Sequence, residues 1–169
     1  MIKRLGRLLR HRWTDERDLK RALPPDALAR LEARVAASER RHSGEIRVSV
    51  EAGLPLSYLW RGLSARDRAI TLFGKLRVWD TEHNNGVLIY LLLADHAIEI
   101  VADRGLNRQV SPAQWQALIA PMREAFRQQC FEAGLAQAID AIDALLALHF
   151  PLAAEQPNPD ELPNRVDLR

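Results

Sequence analysis

Asp95, Asp103, Asp80, Asn84 and Asn85 are the residues whose types and spacing could do chemistry, and that chemistry is oxygen ligation of a hard cation. An ion such as Ca²⁺ collects about six to eight oxygens, several of them from carboxylates or carbonyls. Asp95 closes an uncharged apolar run that begins at Val87, and Asp103 follows the next apolar segment. The two flank one strand at opposite ends, so they need not converge. The plain alternative is that Asp95 stabilises its turn and Asp103 caps a loop. No EF-hand spacing occurs. His83 and His96 sit in polar turns, and a catalytic histidine needs a positioned partner. There is no Gly-x-Ser-x-Gly elbow, no phosphate-binding loop and no Cys-x-x-Cys. Ser111, followed by Pro112, reads as a helix cap rather than a nucleophile. Cys130 reads as a small buried hydrophobe. A metal-assisted phosphatase gathers a dense acidic cluster, and this one is thin.

The elements that must position these residues are legible in the pattern. Asn85-Gly86 leads into Val87-Leu88-Ile89-Tyr90-Leu91-Leu92-Leu93, a strand buried on both faces, which requires helices above and below it. In open α/β sheets, ligands bind beyond the strand ends, where Asp95 lies. Ala97 to Ala102 forms the next strand, so the two make a hairpin around Asp95-His96. Glu45 to Glu51 alternates strictly, with Ile46, Val48 and Val50 on one face. Its polar side predicts an edge strand or partial exposure. Pro25 opens a helix carrying Leu28, Leu31 and Val35. Ser64 caps another with Ala65, Ala69 and Leu72 inward. Gly53 to Gly62 reads as a loop. Ser111-Pro112 starts a helix that Pro121 bends or ends. Phe131 to His149 is the last helix, with Leu135, Ile139, Ile142 and Leu146 on one side.

Three segments organise the chain: a basic amphipathic helix within 1–17, a domain over 18–150, and an acidic, proline-rich tail over 151–169 expected to be disordered. Lys3, Arg4, Arg7, Arg10 and Arg12 accompany Ile2, Leu5, Leu8, Leu9 and Trp13 in the first segment, and Thr14 is a candidate cap for the turn after it. Its readings are packing of the apolar stripe on the domain or contact with a protein partner, then peripheral contact with an anionic membrane through residues 2–13. No nucleic-acid partner is expected, because no recognition motif follows. A single cysteine, no signal-peptide core and no run long enough to span a bilayer predict a soluble cytoplasmic protein.

The order of these pieces resembles the TPM domain family, named for thylakoid-lumen, photosystem II repair and receptor-associated proteins. The resemblance rests on the Glu45–Val50 strand after Ser43-Gly44, on Leu72-Phe73 followed by Asn85-Gly86-Val87-Leu88, on Asp95 and then Gly105-Leu106, and on Pro121, Phe131 and Gly134-Leu135. It covers roughly residues 18 to 149, to within the few residues' error of such boundaries. It implies a three-layer α/β/α sandwich around a small mixed sheet. It also implies a calcium- or other divalent-cation region at the strand ends, with Asp95 the best-retained ligand and Asp18 a match for a carboxylate before the first helix. Acid phosphatase activity belongs to some plant members, and membrane protein maintenance or receptor accessory roles to others. The chain departs from the pattern at Asp103-Arg104-Gly105-Leu106-Asn107, and at Pro112, where relatives often carry Asp. Most bacterial relatives are exported with membrane segments, so this chain looks like a cytoplasmic offshoot.

The expectation is therefore a TPM-like binding or accessory module, linked to membrane protein maintenance, with a weak or vestigial site for Ca²⁺ or Mg²⁺. The rival is a divalent-metal-dependent acid phosphatase. An apolar exposed patch near Tyr58, Trp60 and the N-terminal helix favours the module; an acidic cleft holding a cation favours the enzyme.

Overall fold

The alternating segment and the apolar run both become strands: β1 is Ile46–Glu51 and β2 is Val87–Leu92. The computed structural model describes residues 2–152 and 161–169, with side chains from Leu5 onward. β3, Ala97–Ala102, pairs antiparallel with β2 through six residue pairs, from Val87↔Ala102 to Leu92↔Ala97. β1 lies parallel to β2, Ile46 opposite Val87. A fourth strand, β4, Asp167–Leu168, lies parallel to β1 on its other side. The sheet order is β3-β2-β1-β4.

Period-two alternation sorts β2 between two cores. Val87, Ile89 and Leu91 pack with α2 (Glu16–Ala22), α3 (Pro25–Ser38), α7 (Pro112–Arg127) and α8 (Phe131–His149). Leu88, Tyr90 and Leu92 pack with Ala65, Ala69 and Leu72 of α5 (Ala65–Lys75). The result is a three-layer α/β/α sandwich around a mixed sheet. Helix starts follow their caps. Ser64 accepts from Asp67 N and Ser111 from Gln114 N, each completing a capping box. Asp15, rather than Thr14, caps α2.

Several elements differ from the pattern read in the sequence. β1 is interior, and all six of its residues are buried. Its polar face is not solvated but paired, and much of the pairing comes from the chain end. Residues 161–169, expected to be disordered, fold back along β1. Ser49 Oγ donates to Asp167 Oδ2 at 2.7 Å, Leu162 N to Glu45 Oε2 at 3.1 Å, and the Arg47 guanidinium to the carbonyls of Pro163 and Arg165. Leu162 and Val166 are buried, which gives this polar strap an apolar anchor. The remainder of the expected disorder, residues 153–160, lies outside the described residues. The loop after Gly53 contains a short helix, α4, Leu56–Trp60. Pro121 lies inside α7 without ending it. Cys130 is exposed at the start of α8.

Candidate functional site

Asp95 follows β2 in the turn to β3, at the strand-end position where α/β sheets bind ligands. Its partners arrive from α1, Ile2–Trp13. Arg7, Arg10 and His11 are spaced i, i+3, i+4, so they share one helix face. Arg7 donates to Asp95 Oδ2 from Nε at 3.3 Å and from Nη2 at 3.1 Å. Arg10 Nη2 is paired with Oδ1. His11 Nε2 stands 3.1 Å from the same oxygen. His11 Nδ1 accepts from Leu54 N at 3.0 Å, which puts the ring proton on Nε2, facing the carboxylate. Burial alone would raise the Asp95 carboxyl, but contact with His11 and Arg7 outweighs it and holds the carboxyl well below its ordinary value.

The dock is close at the backbone too. A Cβ on Gly53 would meet the His11 carbonyl oxygen at 2.6 Å, so only glycine lets α1 settle there. Arg7 Nη1 also reaches the Leu63 carbonyl at 3.0 Å. α1 thus turns its charged face to the domain. Leu5, Leu9 and Trp13, on the opposite face, are 59%, 40% and 75% exposed. Of the apolar stripe expected to pack on the domain or meet a partner, Leu5, Leu9 and Trp13 do not pack on the domain, and Leu8 is half-buried. The reason is electrostatic: a half-buried carboxylate is costly unless paired, and α1 carries the pairing groups on its polar side.

The other candidate cation ligands do not join Asp95. β3 runs antiparallel to β2, so Asp103 ends up beside Gly86, at the opposite end of the sheet; its N–H donates to the Gly86 carbonyl at 2.9 Å. Asp103 Oδ1 accepts from Arg104 N at 2.6 Å, capping the four-residue helix α6, Arg104–Asn107. Asn85 is buried and donates to Ser43 Oγ at 3.3 Å. Asn84 adopts φ 53° and offers its carbonyl to Gly105 N at 2.8 Å. Asp80 is exposed, 3.9 Å from Arg77. Asp18 lies at the Asp95 end, but in the α2 capping box and 3.6 Å from Arg21. Asp103 Oδ2 and Asn85 Oδ1 are buried without a hydrogen-bond partner among the described residues. No group of three acidic, histidine or cysteine side chains suited to a metal occurs among those residues. The donor set at Asp95, one carboxylate against two guanidiniums and an imidazole N–H, does not fit a divalent cation.

A second buried polar cluster carries no sequence signature. Glu51, at the end of β1, accepts from Arg68 Nε at 2.9 Å and Nη2 at 2.6 Å, and from the Tyr90 hydroxyl at 2.7 Å. The Tyr58 ring lies 5.2 Å from the Arg68 guanidinium. Burial disfavours the Arg68 cation, but pairing with Glu51 more than compensates and holds its pKa above the usual value. Burial and the Glu51 charge push the Tyr90 phenol up. All three side chains are enclosed, so the cluster ties β1 and β2 to α5.

A family model for the TPM domain matches residues 17–145. The chain belongs to the TPM domain family. The TPM match leaves out all of α1, the element that closes the Asp95 end. Among solved structures, the BA42 protein of the psychrophilic bacterium Bizionia argentinensis, determined by NMR, is similar with a TM-score of 0.75 and 30% identity, over 87% of this chain and 95% of that one. The N-terminal domain of a P. gingivalis protein is similar in fold alone, with a TM-score of 0.57 and 17% identity over 78% of this chain and 82% of that one. No curated protein matches the chain.

Proposed function

We propose that this TPM domain is a non-catalytic accessory module that lies on an anionic membrane surface through α1. The observation that carries the reading is the outward apolar face of α1, Leu5, Leu9 and Trp13, on a helix whose charged face is turned to Asp95. On the adjoining α4, Trp60 is 80% exposed and Leu56 is exposed as well. Exposed Arg12 and Arg61 sit next in sequence to Trp13 and Trp60. Tryptophan favours the bilayer interface, and each nearby arginine adds about 1 kcal/mol of attraction to anionic lipid. Among the described residues no helix is long and apolar enough to cross a membrane, so the contact is peripheral. The expected cytoplasmic location supplies an anionic leaflet. An accessory domain held there meets membrane proteins, the setting in which some relatives act.

Co-sedimentation with phosphatidylglycerol and with phosphatidylcholine vesicles tests the reading. The protein should pellet with the anionic vesicles, less so at high salt, with a blue shift in tryptophan emission. Leu9→Glu with Trp13→Glu, both on exposed positions, should abolish binding and leave the fold intact. Failure to bind, or equal binding by the double variant, overturns the reading. A wild type that ignores vesicles but self-associates through these residues reassigns the patch to a second copy of the chain.

A further inference from the structure

A cleft of about 410 Å³ opens beside the Asp95 turn. Residues from separate parts of the chain converge on it: Arg10 of α1, Asp18 and Arg21 of α2, Leu93 and His96 of the β2–β3 turn, and Phe131 at the start of α8. The volume suits a small organic ligand. Arg10, one of whose terminal nitrogens is paired with Asp95, and Arg21 line the cleft together with a single carboxylate, that of Asp18. Arg21 is 81% exposed, and its nearest carboxylate oxygen, on Asp18, is 3.6 Å away, beyond a hydrogen bond. It is a cation with little to hold it. Asp18 is otherwise engaged, accepting from Asp15 N at 3.2 Å.

The apolar side of the cleft is fixed. Leu93 is buried. The Phe131 ring stacks on Phe126 at 6.0 Å and takes the edge of His96 at 5.7 Å. His96 has φ 47° and Gln129, which also lines the cleft, φ 60°. Gln129 follows the end of α7, where glycine is usual in this conformation. Left-handed backbone at non-glycine residues costs free energy, and two such residues border this one cleft.

We propose that the cleft binds a small organic monocarboxylate with an apolar body, the carboxylate on Arg10 and Arg21 and the body on Leu93 and Phe131. Guanidinium groups pair carboxylates in a planar, two-point geometry. The net excess is one positive charge, and Asp18 stands close by, so a monoanion suits the cleft better than dianionic phosphate. The inference is independent of the membrane reading, which uses the opposite face of α1.

Phenylacetate is the probe, followed by amide chemical-shift titration of the full chain, with 2-phenylethanol and inorganic phosphate as comparators. Phenylacetate should give saturable shifts centred on His96 and Phe131. Arg21→Gln, at an exposed position, should keep the fold and weaken binding about tenfold, the equivalent of ~1.4 kcal/mol. Absence of saturable shifts at millimolar phenylacetate overturns the proposal. So does 2-phenylethanol binding as tightly, which would mark a merely apolar hole. Tighter binding by phosphate, or an Arg21→Gln variant with unchanged affinity, overturns it equally.

Discussion

Asp95 is a carboxylate whose value lies in being charged. Arg7, Arg10 and His11 all address it, and its pKa is held below the ordinary 3.8. A depressed carboxyl contributes stability that is complete above its unfolded pKa and is lost as pH falls through the folded value. Asp95→Asn removes the charge and leaves three donors facing a poor acceptor. The expected cost is about 1.5–3 kcal/mol, the range for hydrogen bonds to charged groups, in a site that solvent still partly screens. The melting-temperature gap between wild type and variant should stay constant from neutrality down to about pH 4, near the ordinary aspartate value, and narrow in stronger acid. A gap that already closes between pH 7 and pH 5 would mean that another group, not Asp95, carries the linkage. Because the donors belong to α1, the variant should also expose amides around His11 to faster hydrogen exchange.

At the scale of elements, β1 shows how a strand with one polar face becomes interior. Arg47 and Ser49 are satisfied by the 161–169 strap, and Glu51 by Arg68 and Tyr90. Ending the chain after residue 160 strips the partners of Arg47 and Ser49 and removes the packing of Leu162 and Val166. Fully burying such side chains contributes about 1.5–3 kcal/mol each, so a loss of roughly 3–6 kcal/mol is expected. Urea unfolding should show a clearly lower midpoint; an unchanged midpoint would make the strap ornamental. The same element marks the boundary of what sequence makes visible. The split of β2 into Leu88, Tyr90 and Leu92 against Ile89, Leu91 and Leu93 is legible because period two is local. So are the Ser64 and Ser111 caps. β1 reads as an edge because the partners of Arg47 and Ser49 lie more than a hundred residues downstream. The strap reads as disorder because it ends a tail, from Pro151 onward, that carries four prolines and four acids, while two apolar side chains suffice to anchor it. The Asp95 end was legible as a strand-end carboxylate. Its ligands were only half so: Arg7, Arg10 and His11 mark a common helix face, but nothing local says that this face, rather than the apolar one, turns inward.

For the molecule as a whole, the decisive feature is that the ends of the sheet are unequal. The antiparallel turn from β2 to β3 sends Asp95 to one end and Asp103, with Asn84 and Asn85, to the other. Phosphoryl transfer assisted by metal needs carboxylates gathered round one point, so that the ion can hold both the attacking and the leaving oxygen. Here the carboxylate at the first end is neutralised by the chain's own helix, and at the second end Asp103 is spent in part on capping α6. The TPM fold by itself does not establish a phosphatase centre. Purified protein assayed on a generic phosphomonoester, with and without Ca²⁺, Mg²⁺ or Mn²⁺, should show negligible turnover at acid and neutral pH. Removing residues 1–14 should not create activity, because freeing Asp95 leaves only Asp18 near it, and the α2 capping box engages that carboxylate. Robust metal-dependent turnover that disappears in Asp95→Ala would overturn this view and restore the enzyme; turnover that appears only in the truncated chain would show instead that α1 masks a working centre.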